Sequence, residues 1–186
     1  AIEAYVSRKA FAYTDAFALS AMPAIASNVR TACADPENAA AREALMLAAS
    51  QAGMAFSNAS VALVHGMSRP IGAHFHVAHG LSNAMLLPEV TKFSTAASQA
   101  RYATCARVMN WADDSDSDTV ACGNLVDHLM RLNDDLKVPN PSSLGHQAKP
   151  EQFAVMAQQA LASGSPQNNP RVPTEEEIVA IYQKIW

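Results

Sequence analysis

The chain has 186 residues, enough for one domain with a sizeable core or for a large fragment of a two-domain protein. Its formal charge of −4, from 13 basic and 17 acidic residues, leaves no basic footprint for nucleic acid, and the apolar share of 49% is that of an ordinary folded domain. No apolar run approaches a membrane span, the first twenty residues lack the basic start and apolar block of a signal peptide, and Cys33, Cys105 and Cys122 show no CxxC spacing. These features predict free thiols in small core or half-buried positions of a cytoplasmic protein with no membrane partner.

Helix formers dominate, and no alternating Val/Ile/Thr run is bounded by turns, so strands are not expected. Residues 1–6 read as the interior of a helix with no Ser, Thr, Asp or Asn ahead to cap it, which predicts a helix begun upstream and a C-terminal piece of a longer protein. This first helix is expected to reach about Thr14, with Asp15 capping a second that turns Phe17, Leu19, Met22, Ile25 and Val29 inward. Asp35-Pro36-Glu37 reads as cap, first-turn proline and acidic first turn of a third helix, which runs to Gln51 with Ala41, Leu45, Ala48 and Ala49 on one face. Gly53 predicts a bend. Residues 54–64 are nearly all apolar or small, the pattern of a buried central helix. The glycines and proline of residues 65–72 are expected to break the regular helix, and residues 81–90 to form another apolar one. Ser98 opens a helix with Tyr102, Cys105, Ala106 and Met109, and the acidic turn at 113–118 leads into one with Val120, Leu125, Leu129 and Leu132. Residues 138–150 read as loop, 152–162 as helix and 163–173 as loop, and Thr174-Glu175-Glu176-Glu177 is a capping box on a last helix ending at Trp186. No repeat or linker divides residues 1–186, so a single all-α bundle is expected.

Four of the six histidines, His65, His74, His76 and His79, are close in sequence, while His128 and His146 stand apart as surface or helix residues. Neutral imidazole is a good ligand for divalent metals. Within one helix, only side chains three or four apart share a face. His65 and His79 are fourteen apart, each precedes a glycine, and each lies at the edge of an apolar helix, so two helix ends can converge there. His74 and His76, two apart, cannot share a helix face. A metal centre needs three or four protein ligands, commonly with a carboxylate among them, and the nearest acids are Glu89, Glu43 and Glu37. From the residues alone, satisfied core or loop histidines, a centre built on His65 and His79, and a centre using all four histidines all remain open.

The run Gly53-Met54-Ala55-Phe56-Ser57-Asn58-Ala59-Ser60-Val61-Ala62-Leu63-Val64-His65-Gly66-Met67-Ser68-Arg69-Pro70-Ile71-Gly72-Ala73 resembles the metal-binding segment of the iron-containing (group III) alcohol dehydrogenases. Val77-Ala78-His79-Gly80-Leu81-Ser82-Asn83-Ala84-Met85-Leu86-Leu87-Pro88 does too, and the family's paired His-Gly motifs have the same spacing. Residues 1–7 resemble the stretch after the family's first metal-binding histidine, and Asn169-Pro170-Arg171 and the closing helix resemble its C-terminus. The resemblance implies the dehydroquinate synthase-like α domain of an NAD(P)-linked enzyme, homo-oligomeric and acting on a small alcohol or aldehyde. It implies His65 and His79 as two of four ligands to Fe2+ or Zn2+, an aspartate and a histidine ahead of Ala1 being the others. NAD or NADP would be held by a domain outside this chain, which has no Gly-rich phosphate loop.

Arg69 stands where many members carry a histidine near nicotinamide and substrate. An arginine cannot shuttle protons at neutral pH, so a charge-binding role is implied. Ala78 stands where a proline is usual, Ser165 is implied at the substrate rim, and Phe75, Met67 and Met85 are candidates for the apolar wall. The chain alone is then expected to bind metal weakly and to catalyse nothing. The competing reading is a stand-alone helical binding or dimerisation module, marked by an exposed apolar face.

Overall fold

Small side chains let the first long helices approach closely. In the computed structural model, which describes all 186 residues, α2 (Ala12–Ala34) and α3 (Ala39–Ala59) pack along their lengths as a hairpin. Ala18 and Ala21 of α2 and Ala41, Ala48, Ala55 and Ala59 of α3 are buried in it. Ahead of it lies the short α1 (Ile2–Val6); after it come α4 (Leu63–Phe75), α5 (His79–Ser94), α6 (Gln99–Val108), α7 (Asp118–Asp135), α8 (Pro150–Ala162) and α9 (Glu175–Ile185). There is no strand, and no single helix is long and apolar enough to cross a membrane.

Two cores form. One gathers α1, α2, α3, α6 and α7 around Tyr5, Met22, Tyr102, Leu125 and Leu129. The other gathers α4, α5, α8 and α9 around Met67, Ile71, Leu86, Met156 and Tyr182. Leu87 packs against both, Asn133 Nδ2 donates to Ala84 O at 2.8 Å, and Tyr182 Oη donates to Met67 O at 2.7 Å. Burial raises the Tyr182 phenol well above its ordinary pKa and so keeps it a donor. The starts of α4 and α5 and the buried side of α1 meet at the seam between the cores.

Several boundaries differ from the sequence expectation, each for a local reason. The first helix ends at Val6, not near Thr14: Ser7 Oγ donates to Ala59 O at 2.6 Å, and Lys9 N donates back to Ser7 Oγ at 3.2 Å. Thr14, not Asp15, serves the start of α2, its hydroxyl accepting from Phe11 N at 3.0 Å, and Asp15 pairs instead with Arg101. Asn38, not Asp35, caps α3, accepting from Ala41 N at 3.0 Å. α3 runs straight through Gly53. The break falls at 60–62, where Ser60 takes φ 64°, and Met54 and Phe56 are 44% and 42% exposed, so residues 54–64 are not a buried central helix. α4 in turn is continuous through Gly66, Pro70 and Gly72. Gly66 is needed for close approach: a Cβ there would lie 2.8 Å from Pro166 Cγ. Val120 faces solvent, and the loops at 138–150 and 163–173 each contain a short 3-10 turn, Ser142–Leu144 and Ser165–Asn168. The capping box at Thr174 forms as expected.

Candidate metal centre

α4 begins two residues before His65 and α5 begins at His79, so both imidazoles project from first helical turns at the seam. Their ring centroids are 5.2 Å apart with planes at 61°. One residue measures their convergence. Asn83 Nδ2 lies 3.4 Å from His65 Nε2 and 3.2 Å from His79 Nε2, so a single electropositive amide group addresses both ring nitrogens. The Asn83 Oδ1 atom is buried with no hydrogen-bond partner.

The other face of His65 is held by Glu3. One Glu3 oxygen accepts from Val64 N at 2.7 Å and the other contacts His65 Nδ1. An ionised carboxylate has only lone pairs to offer, so Nδ1 carries the ring proton and Nε2 keeps a lone pair on the side of Asn83. Glu3 owes its place to the pinning of α1. Arg101 donates to Tyr5 O at 2.7 Å, lies 3.8 Å over the Tyr5 ring and pairs with Asp15. Burial lowers the His79 pKa from its ordinary value, with the charges of His65 and Arg69 adding to the effect, so the neutral form is favoured.

Two hollows flank His65. A polar one of about 410 Å³ is lined by His65, His79, Arg69 and Lys9, with Phe56, Ser57, Asn58, Ser60 and Val61 from the end of α3 and the break after it. An apolar one of about 220 Å³ runs under α1 between α2 and α7, walled by Met22, Ile25, Leu87, Trp111, Leu129 and Leu132. Alcohol-sized ligands need a polar group to fix orientation; the first hollow is polar over most of its lining, whereas the second offers only Glu3, His65 and Asn83 among apolar side chains.

The structure thus brings together His65, His79 and Arg69. It does not bring in His74, whose Nε2 meets Gln159 Oε1 at 2.9 Å, or His76, the left-handed cap of α4 at φ 55°, and no three His, Cys, Asp or Glu side chains are placed to hold an ion among themselves. A centre built from all four histidines is therefore excluded. Glu89 lies beside Lys184, and Glu37 and Glu43 are exposed on the α3 side, so none of the acids nearest in sequence joins the site. Ser165 is 6% exposed and lines neither hollow; its amide donates to Ser163 Oγ at 3.3 Å in the turn that meets Gly66. Met67 and Met85 belong to the second core and Phe75 packs on Trp186, so none of the three walls the site. Sequence reasoning missed Glu3 and Asn83. Asn83 carried a signal, four residues after His79 on the same helix face, but Glu3 carried none, being 62 positions from its partner.

Comparison with known proteins covers the same ground. The family model described as Fe-containing alcohol dehydrogenase family, C-terminal, matches residues 1–186. The 1,3-propanediol dehydrogenase of Citrobacter freundii is 37% identical over 187 residues, covering 100% of this chain and 48% of that protein. The lactaldehyde reductase of Escherichia coli (strain K12) is 36% identical over 186 residues, with the same shares covered. A crystal structure of a 1,3-propanediol oxidoreductase superposes with a TM-score of 0.94 at 36% identity, over 100% of this chain and 48% of that one. An alcohol dehydrogenase from Oenococcus oeni superposes with a TM-score of 0.93 at 35% identity, again over 100% and 48%. The chain spans about half the length of the curated relatives it matches.

Proposed function

Because this chain belongs to the Fe-containing alcohol dehydrogenase family, as its C-terminal helical domain, we propose that it supplies the metal-holding part of an NAD(P)-linked enzyme interconverting a short alcohol and its aldehyde. The observation that carries this reading is the convergence of the two Nε2 atoms on Asn83 Nδ2, at 3.4 and 3.2 Å. Two imidazole nitrogens already facing one amide group are a half-built chelate. The donor set also fits: neutral imidazoles, one of them backed by a carboxylate, suit Fe2+ or Zn2+. A bound divalent ion would supply Lewis acidity toward an alcohol or aldehyde oxygen, helping hydride pass between that carbon and a nicotinamide ring.

The chain's own residues have separable tasks. His65 and His79 would hold the ion. Glu3 holds the proton on His65 Nδ1 and so fixes which nitrogen faces the ion. Arg69, on the same face of α4 one turn beyond His65, supplies charge binding in the polar hollow. The remaining ligands and the nicotinamide-binding surface are assigned outside residues 1–186, in keeping with the half-length match. The reading extends to a homo-oligomer, supported by Met46 and Leu47, 70% and 62% exposed on α3. It extends also to the cytoplasm, supported by two buried, unbridged thiols, with Cys105 pushed up to about 12 by burial.

Calorimetric titration of the chain with Zn2+ tests the ligand assignment. Two protein ligands leave half the coordination shell to water, so binding is expected to be weaker than micromolar and to vanish in His65→Ala and in His79→Ala. Sub-micromolar one-to-one binding, or binding that survives either substitution, would count against it.

A further inference from the structure

Lys9 and Arg69 are exposed, line the polar hollow of about 410 Å³ together with His65 and His79, and enter no ion pair. No Asp or Glu lies among the nine residues lining that hollow, and the nearby Glu3 carboxylate is already engaged by His65 and Val64 N. In a chain of net charge −4, composition does not account for this local excess of positive charge. Geometry adds to it. Arg69 is four residues beyond His65 on α4, so its guanidinium shares the imidazole's face of the helix. A divalent ion on the two imidazoles would raise the positive charge further. A concave site carrying one sign of charge draws the opposite charge into it.

We infer that the alcohol or aldehyde taken by this site carries an anionic group, a carboxylate or a sulfonate, at the end remote from the reacting carbon, held by Arg69 and Lys9. This rests on the dehydrogenase reading above and narrows its substrate class. The guanidinium offers a planar fork of donors that matches two oxygens of either anion, and the lysine adds a mobile point charge. A neutral diol gives neither cation anything but a weak hydroxyl contact.

The test uses amide and guanidinium ¹H–¹⁵N spectra of the 186-residue chain during addition of 4-hydroxybutyrate, 3-hydroxypropane-1-sulfonate or 1,4-butanediol. The two anions are expected to move the Arg69 Nε–H signal and the Lys9 and His65 amides, with affinity at least about tenfold above that of the diol. Arg69→Gln and Lys9→Gln, both at exposed positions where folding is not at stake, are each expected to weaken the anions several-fold. Stronger binding of the carboxylate or of the sulfonate identifies the tail. A diol that binds as well as either anion, or anion binding of undiminished affinity in Arg69→Gln, overturns the inference. A parallel titration with Co2+ separates the two readings. Metal uptake without anion preference removes only this inference, and anion preference with no metal uptake even at millimolar Co2+ removes the ligand assignment of His65 and His79 while leaving an anion site.

Discussion

At His65 the two ring nitrogens have different duties, and Glu3 assigns them. Replacing Glu3 by Ala strands the Nδ1–H of His65 and the N–H of Val64 in a poorly hydrated place, since Glu3 is 9% exposed. Hydrogen bonds to charged groups carry roughly 1.5–3 kcal/mol, so Glu3→Ala is expected to lower unfolding stability by about 2 kcal/mol in urea titration. It is also expected to let the His65 tautomer mix, read from imidazole ¹⁵N shifts, whereas Glu3→Gln restores part of the stability by accepting from Val64 N. A single, unchanged Nδ1–H tautomer in Glu3→Ala would show that Glu3 does not set the ring. The site was legible in unequal parts at this scale. His65, His79 and Arg69 stood in the sequence as a motif, whereas Asn83 went unread although it stands four residues after His79 on one helix face. The Glu3 contact joins helices from distant parts of the chain, and only folding makes it.

Among the helices, α4 teaches the most, because its composition argues against it. Gly66, Pro70 and Gly72 read locally as breakers, yet burial of Leu63, Met67 and Ile71 against α8 and α9 outweighs their poor propensities. Two helical glycines then make opposite predictions for the same substitution. Gly66→Ala forces its methyl to within 2.8 Å of Pro166 Cγ, and overpacking of this kind costs about 1–3 kcal/mol. Gly123 lies inside α7, where an added methyl would meet nothing within 4 Å, so the same change gains helix propensity, about 0.5–1 kcal/mol. Thermal unfolding of the two variants should therefore move in opposite directions. A Gly66→Ala protein as stable as Gly123→Ala would mean that the turn at 165–168 yields freely.

Over the whole molecule, two cores meet at a seam that carries the site, and the outer helices tune stability with pH. His128 of α7 stacks on Trp111 with centroids 5.2 Å apart and planes at 6°. Burial lowers its pKa from the ordinary 6.5, Arg131 and Arg30 press the same way, and Asp127 opposes them. With the folded pKa depressed, the unfolded chain binds the proton more readily. This share of stability is therefore present above pH 6.5 and lost as pH falls through the folded value. Urea midpoints measured on either side of that value should fall on acidification, and fall less in His128→Gln. An equal fall in both proteins would place the loss elsewhere.

Helix content, the all-α class, the capping box at Thr174 and the pairing of His65 with His79 follow from local pattern and motif, because propensity, capping and spacing act over a few residues. The break at Ser60, the unbroken course of α4, the exposure of Met54 and Phe56, and the Glu3–His65 and Lys9–Arg69 neighbourhoods depend on contacts between segments far apart in the chain. Such contacts exist once the two cores have closed, and burial across the seam then overrides what each segment prefers alone.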